Sequence, residues 1–203
     1  MLKYDLHCHS TASDGILTPT EVVLRAHEKG VNVLALTDHD TVAGVAEARQ
    51  QAETLGMRLI NGVEISTLWE NRSIHIVGLG FDISHEKMTA LLAEQAKLRE
   101  IRAQEIGAKL EKIGVENAYV EAKKLAGNGE VTRAHYARHL VQIGKVSNDG
   151  QAFKRYLGQG KSAYVKPQWV DIPTTIDIIH QAGGVAVFAH PLRYIMTMKW
   201  VRK

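Results

Sequence analysis

The sequence has almost no cysteine and no long apolar run, and both shortages exclude classes of protein. Cys8 is the only cysteine among 203 residues, so no disulfide can form within the chain, and a lone thiol suits a reducing compartment. No apolar stretch approaches the roughly 20 residues of a membrane helix, and MLKYDLHCHS lacks the apolar core of a secretory signal. With 45% hydrophobic residues, the chain is expected to be a globular cytoplasmic protein without a membrane partner.

Charge is distributed unevenly along the chain. Residues 85–166 contain 15 Lys+Arg against 9 Asp+Glu, a balance of +6, whereas the remainder has 10 against 13, or −3. A solvated helical surface explains many such runs. The asymmetry also suits a polyanionic partner such as nucleic acid or a nucleotide.

Apolar periodicity predicts an α/β fold. Strand patterns occur in LKYDLHCH, VNVLALTDHD, MRLINGVEIS, IHIVGLGF and VAVFAHP, and helical patterns separate the first three of them. The first helix carries a capping box formed by Thr18 and Glu21, with Gly30 as its C-cap. This alternation is typical of a β/α barrel. The fourth strand follows the third so closely that it is expected to return as a hairpin turning near residues 70 and 71.

Helical signals dominate from residue 84 to about residue 157, and no strand pattern interrupts them. They predict an inserted helical subdomain that is basic. The expected organisation is a first barrel part at 1–84, the helical subdomain at 85–166 and a continuation of the barrel at 167–203.

Two histidines near the beginning of the chain suggest metal binding. Side chains at alternate strand positions share a face, so Asp5, His7 and His9 are expected to lie together, with the two imidazoles able to grip one metal ion. A solvated strand face is the alternative explanation of such a pair taken alone.

Further ligand-type residues follow the other strands. His39 comes after the second strand, Glu64 lies near the end of the third, and His190 closes the last. His75 begins its strand, but a hairpin would bring it beside Glu64 and Ser66. Because strand ends and the loops after them form the active-site rim of α/β barrels, one shared site is predicted.

These motifs together resemble a known family. DLHCHS, Asp14, TDHD, GVEIS, HIVGLGF and AHP resemble the motifs of the PHP (polymerase and histidinol phosphatase) superfamily of metal-dependent phosphoesterases, and the helical insertion resembles that of its RNase AM-type subfamily. The resemblance implies a distorted seven-stranded β/α barrel. It also implies 5′ to 3′ trimming of RNA and removal of the 3′-phosphate from 3′,5′-nucleotide bisphosphates, with RNA 5′ ends and such bisphosphates as partners.

The same resemblance implies up to three metal ions, commonly Mn²⁺. The implied ligands are His7, His9 and Glu64 for one ion, Asp14 and His39 for a second, and His75 and His190 with bridging Glu64 for a third. Imidazole and carboxylate ligands suit Mn²⁺, Zn²⁺ or Fe²⁺ better than Ca²⁺. A metal-bound hydroxide would be the nucleophile, so no protein nucleophile is expected. Asp5 and Asp38 are predicted to orient ligand imidazoles.

Candidate substrate-binding residues lie in and just after the helical segment. In TRAHYARHL, Thr132 is the predicted N-cap, and Arg133, His135 and Arg138 have side chains suited to phosphate or base contacts. Lys166 lies where the segment rejoins the barrel. Ordinary helix-surface positions are the alternative for each of them.

The sequence departs from the family pattern after AHP. The family continues to an Asp-x-His motif that completes two of the metal sites, whereas this chain ends in LRYIMTMKWVRK. An incomplete barrel with an open edge is therefore expected. Three functions remain open: the exoribonuclease and bisphosphate phosphatase activity, a small-metabolite phosphatase of the histidinol-phosphatase type, and a truncated non-catalytic nucleic-acid-binding module.

Overall fold

The computed structural model describes residues 1–70 and 72–194. The predicted barrel continuation from residue 195 onward lies outside the described residues. The strands are β1 (Tyr4–Cys8), β2 (Val33–Leu36), β3 (Arg58–Trp69), β4 (Arg72–Leu79) and β5 (Val185–Phe188). The helices are α1 (Pro19–Glu28), α2 (Val45–Thr54), α3 (Glu86–Glu111), α4 (Ala118–Ala126), α5 (Arg133–Gln142), α6 (Asp149–Ala152) and α7 (Ile172–Gln181).

The five strands form one curled sheet in the order β1-β2-β3-β4-β5, an arc resembling half of a barrel. The first three strands are parallel and are joined by α1 and α2, whereas β4 is antiparallel to both β3 and β5. The predicted α/β class and the five strand patterns are confirmed. Seven strands remain a prediction, since the described residues contain five.

Local signals account for the first β/α unit. The Thr18 hydroxyl accepts a hydrogen bond from the Glu21 N–H at 3.2 Å, and the Glu21 carboxylate accepts one from the Thr18 N–H at 2.7 Å, which confirms the capping box. The helix ends at Glu28 with Lys29 as its cap, and Gly30 follows at φ +74°. The chain turns there because glycine tolerates this left-handed conformation.

The hairpin that was predicted from the sequence is present. β3 and β4 pair antiparallel, with Ser66 opposite His75 and Glu64 opposite Val77. Glu70 occupies the turn at φ +44°, and Asn71 lies outside the described residues. This pairing places His75, from the beginning of β4, next to the end of β3, the strand that carries Glu64.

Residues 86–157, here called the helical segment, contain α3 to α6 followed by a π-helical turn at 153–157. The segment has an apolar cluster of its own, in which Leu110, Tyr136 and Leu140 are fully buried. Two separate apolar clusters join the sheet to its helices: one packs β2 and β3 against α1 and α2, and the other packs β3 and β4 against α3 and α7. No helix in the described ranges is long and apolar enough to cross a membrane.

Candidate metal centre and adjoining pocket

Glu64 lies at the centre of a group of histidines. Its carboxylate is 1% exposed on β3, and its Oε2 atom lies 2.9 Å from His7 Nε2 and 3.0 Å from His9 Nε2. His39 Nδ1 lies 3.5 Å from the same oxygen. His7 on β1 and His9, which directly follows the strand, both face Glu64, as the alternation of side chains predicts.

The second carboxylate oxygen of Glu64 is shared by two more imidazoles. His75 Nδ1 and His190 Nε2 each lie 2.8 Å from Oε1. His190, two residues after the end of β5, adopts φ +31°, a left-handed conformation uncommon for a residue with a side chain. The Ala189 N–H donates to the His75 carbonyl at 3.1 Å, which brings the end of β5 next to β4.

Asp14 extends this cluster on the side of β1 and β2. Its Oδ1 lies 3.8 Å from His9 Nδ1, and its Oδ2 lies 3.9 Å from His39 Nε2. These distances are longer than a hydrogen bond and leave room between the nitrogen and oxygen atoms. The structure therefore brings all seven predicted ligands into one continuous cluster.

Three overlapping groups in this cluster have ligand atoms within 4.8 Å of one another: His7, His9 and Glu64; His9, Asp14 and His39; and His39, Glu64 and His75. The first group has the composition that the resemblance implies. The second adds His9 to the implied pair, and the third contains His39 where His190 was implied. His190 instead contacts the shared oxygen of Glu64.

Burial and mutual contact set the protonation of this cluster. Burial raises the pKa of Glu64, but hydrogen bonds from the imidazoles, that of His7 foremost, outweigh burial and hold this pKa well below its usual range. Burial lowers the pKa of His9, yet the hydrogen bond to Glu64 raises it overall. For His39 and His190 burial dominates and lowers the pKa. The last two imidazoles are therefore neutral, the form that binds metals.

The donor set fits divalent transition-metal ions. The Nδ1 atoms of His9, His39 and His190 are buried and have no hydrogen-bond partner within the described ranges. Buried polar atoms without partners are costly, so a ligand at these atoms is expected. Imidazole nitrogens with carboxylate oxygens are typical ligands of Mn²⁺, Fe²⁺ and Zn²⁺.

The two carboxylates expected to orient imidazoles have other partners. Asp38 is buried and accepts hydrogen bonds from the N–H and hydroxyl of Ser10, both at 2.7 Å, and from the hydroxyl of Ser13 at 2.6 Å. Asp5 accepts a long bond of 3.4 Å from the backbone N–H of His7. Through these bonds Asp38 braces the loop that leads to Asp14. The orientation of imidazoles by Asp5 and Asp38 stays a prediction.

A pocket opens beside the cluster of seven predicted ligands, here called the metal-type cluster. One wall carries Asp14, His39 and His75, and the opposite wall carries side chains of the helical segment and of Trp169. The helical-segment wall consists of Arg99, Arg102, Thr132, Arg133, Ala134 and Phe153.

Two of these arginines lack an acidic partner. Arg102 donates from Nε to the Val165 carbonyl at 3.1 Å and lies over the Trp169 ring, and Arg133 lies over the Phe153 ring. Neither forms an ion pair with a carboxylate in the described part of the chain. Burial, followed by the neighbouring Arg133, lowers the pKa of Arg102 to about 9. The pocket therefore presents desolvated positive charge opposite the metal-type cluster.

The structure places the four predicted substrate-binding residues in different surroundings. Arg133 lines the pocket, whereas the Arg138 guanidinium donates to the backbone carbonyl of Asp14. His135 is neither a surface nor a pocket residue: it is 2% exposed, and its Nδ1 accepts from the Thr132 N–H at 3.0 Å in a capping box. Lys166 is exposed and is absent from the pocket lining.

Sequence reasoning missed Arg99 and Arg102. Their spacing of three residues places them on one face of α3, and this spacing was the only signal that they act together. Which way that face points depends on how α3 packs against the sheet, which no local pattern encodes.

Comparison with known proteins agrees with the geometry. The PHP domain family matches residues 5–126. The chain belongs to the PHP family. A 5′-3′ exoribonuclease of Haemophilus influenzae is 72% identical over 99% of this chain and 73% of its own length. A 3′,5′-nucleoside bisphosphate phosphatase of Chromobacterium violaceum is 44% identical over 97% of this chain and 69% of its own length.

A solved structure shares the fold of this PHP chain. It is that of an amidohydrolase from Chromobacterium violaceum with bound sulfate and no metal. The two agree with a TM-score of 0.94 and 42% identity over 98% of this chain and 70% of the other. At this level of identity the similarity extends beyond the fold to the family.

Proposed function

We propose that this chain is a metal-dependent phosphoesterase that hydrolyses phosphate esters of nucleotides, acting on RNA 5′ ends and on 3′,5′-nucleotide bisphosphates. One observation carries the proposal: a single pocket has metal-type ligands on one wall and arginines without acidic partners on the other. A phosphate ester bound in this pocket would contact both the proposed metal centre and the arginines. The names of the 72% and 44% identical relatives agree with this substrate class.

The proposed metal ligands are the seven residues of the cluster, and Mn²⁺ is the proposed ion. They are His7, His9, Asp14, His39, Glu64, His75 and His190. When bound, divalent ions supply Lewis acidity, which lowers the pKa of water and offsets the charge of phosphate oxygens. Glu64 is suited to join neighbouring ions, because imidazoles surround both of its carboxylate oxygens.

Arg102 and Arg133 are the proposed contacts of a phosphate group that is not being hydrolysed. A guanidinium group can donate two parallel hydrogen bonds to phosphate, and bonds between charged groups are stronger than neutral ones. A bisphosphate has a second phosphate for this wall, as does the backbone of RNA. Sulfate, which the similar structure binds, has the same tetrahedral oxyanion shape.

The helical segment is the main part of the proposed insertion subdomain, which spans 85–166 between barrel parts at 1–84 and 167–203. Its separate apolar cluster, which runs from Ala103 to Val165, supports this division. The proposed barrel is the seven-stranded PHP barrel, to which the five described strands would contribute.

The proposal is tested on three substrates, each with added Mn²⁺. Inorganic phosphate release is measured for the two phosphate monoesters, and mononucleotide release is measured for the RNA. The substrates are adenosine 3′,5′-bisphosphate, short 5′-phosphorylated RNA and histidinol phosphate. We expect release from the first two, and we expect Glu64→Gln to abolish it, because this change removes a charge that several imidazoles contact. The matched control is Glu47→Gln, an identical change at an exposed carboxylate that bonds Thr20.

Other results would point elsewhere. Release from histidinol phosphate alone would favour a small-metabolite phosphatase. Binding of RNA without release from any of the three would favour a non-catalytic nucleic-acid-binding module. Full activity in Glu64→Gln would contradict the proposed metal centre.

A further inference from the structure

A buried ion pair connects helix α3 to the metal-type cluster. Arg99 Nε donates to Asp40 Oδ2 at 2.6 Å, and the Arg99 Nη2 atom contacts the same carboxylate oxygen. The side chain of Asp40 is fully buried and that of Arg99 is 8% exposed. Neither residue of the pair is a proposed ligand, but Asp40 directly follows one of the ligands, His39.

Asp40 is held in an unusual backbone conformation at this point. Its φ is +53°, in the left-handed region that costs a residue with a side chain free energy unless its surroundings impose it. The Asp40 N–H donates to the Glu64 carbonyl at 3.0 Å, and His39 and Glu64 form an isolated β-bridge. The conformation of Asp40 thus sets how two proposed ligands face each other.

The carboxylate of Asp40 is surrounded by donors from two elements. Its Oδ1 accepts from the Ser66 N–H on β3 at 2.7 Å and from Gln95 Nε2 on α3 at 3.1 Å. Gln95 also donates to the Ser66 carbonyl at 2.7 Å, and Arg99 Nη2 donates to the Ser66 hydroxyl at 2.8 Å. Two successive turns of α3 therefore bind the loop after β2 to the strand that carries Glu64.

We propose that Asp40 and Arg99 are positioning residues that fix His39 and Glu64 in the relative geometry needed for metal binding. The inference rests on the proposed metal centre. The helical segment therefore does more than line the substrate pocket, because α3 holds the scaffold of the ligands. Groups that hold metal ligands in place commonly change metal affinity about 10–100-fold when they are removed.

A second role for Arg99 makes a different prediction. Arg99 also lines the pocket, so it is a candidate for direct contact with a substrate phosphate. A substrate contact would change KM and leave metal affinity unchanged in the absence of substrate. A positioning role changes metal affinity with no substrate present.

The test measures Mn²⁺ affinity of the 203-residue chain and its variants without substrate, by calorimetry or electron paramagnetic resonance. All proteins are compared at a temperature at which thermal unfolding shows each to be folded. We expect Arg99→Met and Asp40→Asn to weaken Mn²⁺ binding about 10–100-fold. Arg99→Lys keeps the charge without the planar fork and is expected to give a smaller loss. Arg99→Lys also tests the positioning role of Arg99 if Arg99→Met does not fold.

The control separates positioning from general destabilisation. Leu140→Ala removes a fully buried side chain from the apolar cluster of the helical segment, away from Asp40. It is expected to lower the unfolding temperature and leave Mn²⁺ affinity unchanged. An equal loss of affinity in Leu140→Ala would overturn the inference, as would an unchanged affinity in the Arg99 and Asp40 variants. If the parent chain binds no Mn²⁺ at all, the proposed metal centre itself fails.

Discussion

Arg102 offers a test in which stability and activity change in opposite directions. Its pKa is lowered to about 9, chiefly because it is buried and then because Arg133 and Arg99 lie nearby. An arginine whose pKa is lower in the folded than in the unfolded state destabilises the fold while it is charged. At pH 7 it is charged in both states, so the whole cost is present, and the cost declines as the pH rises through 9.

The size of the effect follows from this pKa. The lowering of this pKa from the ordinary arginine value corresponds to about 5 kcal/mol, an upper bound that partial solvation reduces to a few kcal/mol. Arg102→Met would forfeit the bond to the Val165 carbonyl, worth about 1 kcal/mol, and the contact with the Trp169 ring, worth about 1 kcal/mol. The expected net gain in stability is about 1–3 kcal/mol, and each kcal/mol raises Tm by about 2–4 °C.

The same substitution should damage function. A hydrogen bond to a charged group is worth about 1.5–3 kcal/mol, so Arg102→Met is expected to lower kcat/KM for adenosine 3′,5′-bisphosphate about 10–100-fold. Inorganic phosphate should raise the Tm of the parent and have little effect on the variant, because a ligand stabilises only the state that binds it.

Arg155→Met is the matched control for this experiment. Arg155 also donates to a backbone carbonyl, that of Lys145, and also lies over an aromatic ring, that of Tyr156, but it is exposed and outside the pocket. Its removal should change neither phosphate stabilisation nor kcat/KM. The reasoning would be refuted if Arg102→Met lowered Tm as much as Arg155→Met does, or if it left kcat/KM intact.

Two further predictions concern pH. Burial, followed by Arg138, lowers the pKa of His135 to about 4 from 6.5, so stability should fall by up to about 3 kcal/mol as the pH drops from 6.5 to 4. His135→Gln should remove this dependence in denaturant titrations while keeping the capping box, and an unchanged acid limb would contradict this account. Because contact with Glu64 raises the pKa of His9, protons compete with Mn²⁺ there. Calorimetry should therefore show affinity rising with pH and proton release on binding; a flat profile would argue against His9 as a ligand.

The parts of the fold that local chemistry determines were predictable from the sequence. The capping box at Thr18 and the N-cap at Thr132 need only neighbouring residues, and the alternation that begins in β1 places His7 and His9 on one side. His75 required one further step, a hairpin inferred from a turn too short for a crossover helix. That step succeeded because antiparallel register fixes which residue faces Glu64.

The remaining features depend on packing between distant elements. Arg99 reaches Asp40 across 59 positions, and Arg138 reaches the carbonyl of Asp14 across 124. No local pattern separates such arginines from the solvated ones of a basic helix. The role of His135 was similarly ambiguous. Its sequence context suited a phosphate contact, whereas in the structure it is buried and its ring accepts a hydrogen bond from the N-cap residue.

The arrangement of α3 argues that metal binding and phosphate recognition depend on one element. Arg99 fixes the loop after His39, and Arg102, one helical turn further along, faces the pocket beside Trp169. A shift of α3 along its axis would move both groups by the same distance. The distance between the proposed metal centre and the proposed phosphate contact is therefore set largely by one rigid helix. Substrates whose two phosphates have a matching separation are favoured by this construction, because Arg99 and Arg102 lie on the same helix.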